Sequence, residues 1–347
     1  MHRSLSFFAL LMLSAAPVVA QTAAVPAQAT VPPPAISTIQ QNGHLRCGAI
    51  ESVDDWNGQD QHGDLSELST AVCHAVAAAI LGDGADAQVA EFPAEPEALA
   101  ALHAGAIDLA LGISPSAEAA MQWSVGFGPA IFYDTERFLA PRSSHLTSAA
   151  DLRDQLVCAM NNTPAERTLR DEMTARGITY GLQAHSEQGE MDASVAVARC
   201  AAGAALESRL ATSRADVPAK APPFTFLPER FGLSPIVPAY RYGDQRFGLI
   251  VDYTINALIE AEALGITQAN VEAARQRTDM RAQRLLGGDR SVGQALGLPP
   301  DWAVHVIAAV GNYGEIFDRT LGKTYGLDRG LNALWTSGGL MHPAPLQ

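Results

Sequence analysis

The pattern that most restricts this chain is a regular alternation of short apolar strands with helical stretches between residues 45 and 206. Residues 45–50 read as a strand. Ser69 to Leu81 reads as a helix, with Val72, Val76 and Ile80 at helical spacing and Gly82 past its end. A strand over 87–92, a helix over 96–103, an apolar strand over 106–113 and an extended stretch over 129–140 follow. The order then starts again: a helical turn at 148–154, a strand at 155–160, a helix at 165–176, a strand at 178–184, a helix at 189–199 and a buried strand at 203–206. Pro164 suits the first helical position, where its missing N–H costs nothing. Alternating strands and helices build α/β layers, and two such runs predict two lobes. Beyond Gly248 the chain reads as mostly helical.

The first twenty residues carry a different signal. His2 and Arg3 form a short basic start, Leu5 to Leu13 is mostly apolar, and Val18-Val19-Ala20 places small residues before Gln21. This predicts a secretory signal peptide over 1–20. Its apolar run is shorter than the roughly 20 residues that a spanning helix needs. Residues 21–38, rich in Ala, Pro, Gln and Thr, read as a flexible leader. No cysteine lies near the cut, so a soluble periplasmic protein without a lipid anchor is expected. Its 37 acidic and 23 basic residues give a net charge of −14, which argues against nucleic acid and anionic membranes as partners.

Export makes disulfides available to Cys47, Cys73, Cys158 and Cys200. Three connectivities are open, and pairing of sequence neighbours is the simplest. No C-x-x-C occurs, which argues against a zinc ribbon or a redox motif. The chain also lacks a phosphate-binding G-x-x-x-x-G-K-[ST], an H-E-x-x-H and a complete nucleophile elbow. The histidines are scattered. This predicts a binding protein rather than an enzyme, with no cofactor and no metal.

A resemblance sharpens that reading. The passages Ala261-Glu-Ala-Leu-Gly-Ile-Thr-Gln-Ala-Asn-Val271, Gly311-Asn-Tyr-Gly-Glu315, Arg329-Gly-Leu-Asn-Ala-Leu-Trp335 and Gly338-Gly-Leu-Met341 resemble the general L-amino-acid type of periplasmic substrate-binding proteins of ABC transporters (extracellular solute-binding protein family 3). The four cysteines stand where that family places its own. The resemblance covers about residues 39–347. It implies a type II two-lobed clamp with two hinge strands and a helical C-terminal extension. Lobe one would comprise 39–138 and 236–347, and lobe two 139–235. The disulfides would be Cys47–Cys73 in lobe one and Cys158–Cys200 in lobe two, leaving the hinge free. The implied function is capture of an amino acid or related small polar solute by a monomer that serves ABC permease subunits in the inner membrane. The alternative is a scaffold that has lost amino-acid binding and acts as a partner-binding or sensory protein.

The ligand site departs from the family pattern. The family holds the α-carboxylate with an arginine shortly after the third lobe-one strand, but Gly112 to Met121 contains none. The aspartate expected to hold the α-amino group falls on Leu206, or on Glu207 with a one-residue slip. The candidate solute-binding residues are therefore Ser114, Ser116, Asn162, Thr163 and Glu207. Thr163, Ala165 and Glu166 would offer backbone N–H groups at a helix start, where an anion is favoured. Without the family arginine, ordinary amino acids are expected to bind weakly unless an arginine such as Arg137 or Arg142 arrives from elsewhere.

Overall fold

The computed structural model of the chain describes residues 35–50, 65–161, 163–215, 223–288 and 291–346. The predicted signal sequence and most of the predicted leader lie outside these residues. Helix α1 (Ala35–Asn42) leads into β1 (His44–Ile50), and α2 (Ser66–Leu81), β2 (Asp86–Phe92), α3 (Glu95–His103) and β3 (Leu109–Ile113) follow. After α4 (Ala117–Trp123) and β4 (Val125–Phe127) comes the long strand β5 (Phe132–Pro141). The next run is β6 (Leu156–Met160), α5 (Pro164–Ala175), β7 (Gly181–His185), α6 (Gln188–Ala196), β8 (Ala202–Leu206) and α7 (Glu207–Ala215). Strand β9 (Phe224–Phe226) and the second long strand β10 (Phe231–Arg241) bring the chain back. Helices α8 (Gln245–Ala263), α9 (Val271–Ala274), α10 (Met280–Leu285), α11 (Ser291–Leu296), α12 (Trp302–Val310), α13 (Tyr313–Phe317) and α14 (Lys323–Tyr325) complete it.

The strands follow one path, β2-β1-β3-β10-β5-β8-β6-β7. In the first half β1 runs parallel to both β2 and β3. In the second half β6 runs parallel to both β7 and β8. The antiparallel pair β5–β10 joins the halves, with Phe132 opposite Ile236 and Glu136 opposite Phe231. The predicted two-lobed α/β architecture is thus present, and β5 and β10 are its crossing strands. Each half has apolar clusters of its own. One unites α2, α8 and α12 around Leu45, Cys47 and Phe247, and another unites Phe138, Val157, Leu169 and Met173.

The disulfides close within the halves. Cys47 pairs with Cys73, linking β1 to α2 at a Cα separation of 6.2 Å. Cys158 pairs with Cys200, linking β6 to the start of β8 at 5.7 Å. On the chain-entropy account, loops of 26 and 42 residues contribute about 3–4 kcal/mol each.

The C-terminal motif has a structural task. Asn332 accepts the Tyr133 N–H at 2.7 Å and donates to the Tyr133 carbonyl at 2.9 Å, extending the pairing of β5 with a side chain. Arg329 lies over the Tyr313 and Phe317 rings and bonds Glu262 at 3.0 Å. Gly330, at φ +47°, makes the tight turn between them.

Several elements depart from the expectations. Helix α1 begins at Ala35, inside the stretch read as leader, because Ala35, Ile36 and Ile39 bury an apolar face in the first core. Strand β3 starts three residues late: Asp108 turns to clamp the Arg46 guanidinium at 2.7 and 3.0 Å. Helices α4 and α7 were not predicted. None of the α4 side chains is buried, so no apolar stripe announces it.

Asp252 on α8 gives a testable pH dependence. Its Oδ1 is enclosed without a hydrogen bond, and burial pushes the carboxyl up to about 6. The unfolded carboxyl ionises near its ordinary 3.8. Between these values the folded state holds the extra proton, so this group makes stability decline as pH rises from about 4 to 6 and leaves it flat above. Asp252→Asn is expected to flatten that slope in urea titrations and to stabilise the protein at pH 7.5 by about 1 kcal/mol. That is less than a fully buried group would give, because the side chain is only half-buried.

Candidate functional site

In each half a central parallel strand sends its neighbours to opposite sides: β1 lies between β2 and β3, and β6 between β7 and β8. Ligand crevices in open α/β sheets form outside the carboxyl ends of strands at such a reversal. In the first half these ends lead into residues 51–64, which lie outside the described residues, and into Ser114–Ser116 after β3. In the second half they lead into residues 161–163 after β6 and into Glu207 after β8. The candidate residues therefore fall at the carboxyl ends of β3, β6 and β8.

Ser114 is held by α3: its N–H and its Oγ both donate to Glu95, at 3.0 and 2.8 Å. Just before it, Gly112 at φ +83° passes close to Ile50. Ser116 is exposed and caps α4, its Oγ accepting the Ala119 N–H at 3.0 Å. Thr163 is buried at 2% exposure and caps α5. Its Oγ1 accepts the Glu166 N–H and donates to the Met160 carbonyl, both at 3.0 Å. One of the three backbone donors expected at this helix start is thus already taken. Asn162 lies outside the described residues. Its neighbour Asn161 donates to Ser186 Oγ at 3.1 Å, tying the loop after β6 to the loop after β7.

Glu207 sits in a dense ion-pair hub at 8% exposure. Its Oε1 accepts from Arg137 Nη1 and from Arg230 Nη2. Its Oε2 accepts from Arg230 Nε at 3.0 Å and from Thr135 Oγ1 at 3.2 Å. Both oxygens already accept twice within the protein. Arg137 is further engaged with the Leu227 carbonyl and stacks over Phe226. Arg142 is exposed in the turn after β5. Neither of the two arginines suggested as a substitute carboxylate anchor is therefore presented as a free cation at the strand ends.

Sequence reading also passed over α7, which begins directly after β8 and carries a further buried cation, Arg209, at 7% exposure. The signal was present as polar residues after an apolar strand, but without periodicity it does not separate helix from loop. Nearby, Cys158, His185 and Cys200 bring three ligand atoms within 4.8 Å of one another. Both sulfurs are consumed by the disulfide, and His185 Nε2 lies 3.2 Å from Cys158 Sγ. Among the described residues, no helix is long and apolar enough to cross a membrane.

The hub predicts a stability effect. Glu207→Gln leaves Arg137 and Arg230 without their shared carboxylate and is expected to lower stability by about 3 kcal/mol in urea unfolding. Glu172→Gln, which breaks the exposed pair with Arg176, is expected to cost under about 1 kcal/mol.

No protein-family model matches the chain. Curated relatives match nearly end to end. The glutamate/glutamine/aspartate/asparagine-binding protein BztA of Rhodobacter capsulatus is 33% identical over 90% of this chain and 93% of its own length. The general L-amino acid-binding periplasmic protein AapJ of Rhizobium johnstonii is 32% identical over 90% and 92%. Among solved structures, an ABC transporter periplasmic binding protein from Brucella ovis with glutathione bound superposes with a TM-score of 0.71 at 31% identity, covering 90% of this chain and 99% of that one. The chain belongs to the family of periplasmic amino-acid-binding proteins that serve ABC transporters, and its fold is their two-lobed clamp.

Proposed function

We propose that this chain captures an amino acid or a related small polar solute between its two lobes and delivers it to ABC permease subunits in the inner membrane. The observation that carries the reading is end-to-end similarity to BztA and AapJ, whose names give amino acids as ligands. The glutathione-bound Brucella ovis protein widens the solute class to small peptides of similar chemistry. The lobes are 35–138 with 236–347, and 139–235. Ser114, Ser116 and Thr163 line the crevice, Asn162 is a candidate by its place in the sequence beside Thr163, and Glu207 contributes by holding the lobe-two wall in place. The working protein is a monomer. It is exported by a cleaved signal peptide, carries no lipid anchor and catalyses no reaction.

A thermal-shift screen of the chain from Gln21 onward tests this against the twenty amino acids, amines, organic acids and small peptides including glutathione. At one hundred times its dissociation constant a ligand adds about 2.7 kcal/mol, a shift of several degrees. No shift with any member would overturn solute capture in this class and favour the partner-binding alternative.

A further inference from the structure

Among the described residues of lobe two, the hub leaves one buried cation unaccounted for. Arg209 is 93% buried by its 7% exposure, yet among the described residues no carboxylate, carbonyl or hydroxyl pairs with it. Its neighbours on α7 are all engaged. Glu207 binds Arg137, Arg230 and Thr135, and Ser208 Oγ donates to Asp134. Leu210 belongs to the lobe-two core beside Cys158 and Met191. Ala211 packs into the large core with Phe317 and Leu327.

Helix geometry then gives the direction of Arg209. At 3.6 residues per turn it lies about 40° around the helix from Ser213 and nearly opposite Ala211. Ser213 Oγ accepts from Gln188 at the start of α6, at 3.4 Å. The face that Arg209 shares with Ser213 therefore looks toward the start of α6. Strand β6 runs between β7 and β8. Arg209 is thus directed over the carboxyl end of β6, where Asn161 and Thr163 turn into α5.

Resting on the solute-binding reading above, we propose that Arg209 is the anion anchor of the ligand site. It takes the place of the arginine missing after β3 and holds a carboxylate of the solute from lobe two instead of lobe one. Its nitrogens are not among the fully enclosed unpartnered side-chain atoms, so the tip of this largely buried side chain stays open to an entering group but has little room for water. Burial of the charge becomes favourable when a carboxylate enters and accepts two aligned hydrogen bonds from it. The ligand class follows: a solute with at least one carboxylate, and not an amine or a neutral polyol.

The test compares wild type with Arg209→Met and Arg209→Lys, using L-glutamate and glutathione as probes in calorimetry and following unliganded stability by thermal melting. Arg209→Met is expected to be at least as stable as wild type without ligand. Its affinity for whichever probe wild type binds should fall about a hundredfold or more, with Arg209→Lys in between. Binding within threefold of wild type in Arg209→Met would overturn the assignment while leaving solute capture intact. If wild type binds neither probe, solute capture of these compounds is what fails, and unliganded stability decides on Arg209. A less stable Arg209→Met then shows a structural arginine and overturns the anchor. An equally or more stable one upholds a charge held unpaired for an anion.

Discussion

The carboxylate of Glu207 is the point on which the geometry of the second lobe depends. It binds Arg137 and Thr135 of crossing strand β5 and Arg230 at the entry to crossing strand β10. The same residue begins α7, so the hub ties the end of β8 and the start of α7 to both crossing strands. With four hydrogen bonds the carboxylate needs no water, which makes its burial tolerable. Removing it would strand the buried Arg137 guanidinium and free the partly exposed Arg230 from its partner. Through these bonds Glu207 fixes the start of α7, and the neighbouring positions on that helix inherit their directions from it.

Around this hub the covalent and polar ties divide into two kinds. The disulfides lie within the halves and leave β5 and β10 free of cross-links. The C-terminal chain instead reaches across by hydrogen bonds. Asn332 brackets Tyr133 on β5, and Arg214 of α7 donates to the carbonyls of Tyr325 and Gly326 at 2.9 and 2.7 Å. Such bonds can break and re-form at modest net cost, whereas a disulfide between the halves would fix their relation. A clamp needs stiff lobes and an adjustable join, and the distribution of sulfur and of polar contacts is consistent with that need.

Much of the fold was legible in the residues because it rests on local periodicity. The strands at 45–50, 87–92, 155–160 and 203–206 and the helices at 69–81 and 165–176 are found within a few residues of their predicted bounds. The cysteine pairing followed from order along the chain and from the family resemblance. The misses share a cause. Helix α4 has no fully buried side chain, α7 begins with polar residues, and α1 lies behind a proline-rich stretch that reads as linker. The candidate site was legible only in part. Ser114, Thr163 and Glu207 do stand at strand ends, but their side chains already serve Glu95, the α5 cap and the arginine hub.

By itself the sequence determined the α/β class, the division into two lobes, the expectation of export and the absence of the family's arginine between Gly112 and Met121. These follow from period, composition and motif, which are local properties of the chain. Only the tertiary structure decided which charges are spent and which are spare. Arg137 and Arg209 are equally plausible cations in one dimension. One is consumed because β5 passes beside β8, and the other, on α7, meets no acidic partner among the described residues. Pairing of buried charges is set by positions tens of residues apart in sequence, as between Arg137 and Glu207, 70 residues apart, and no local pattern encodes it.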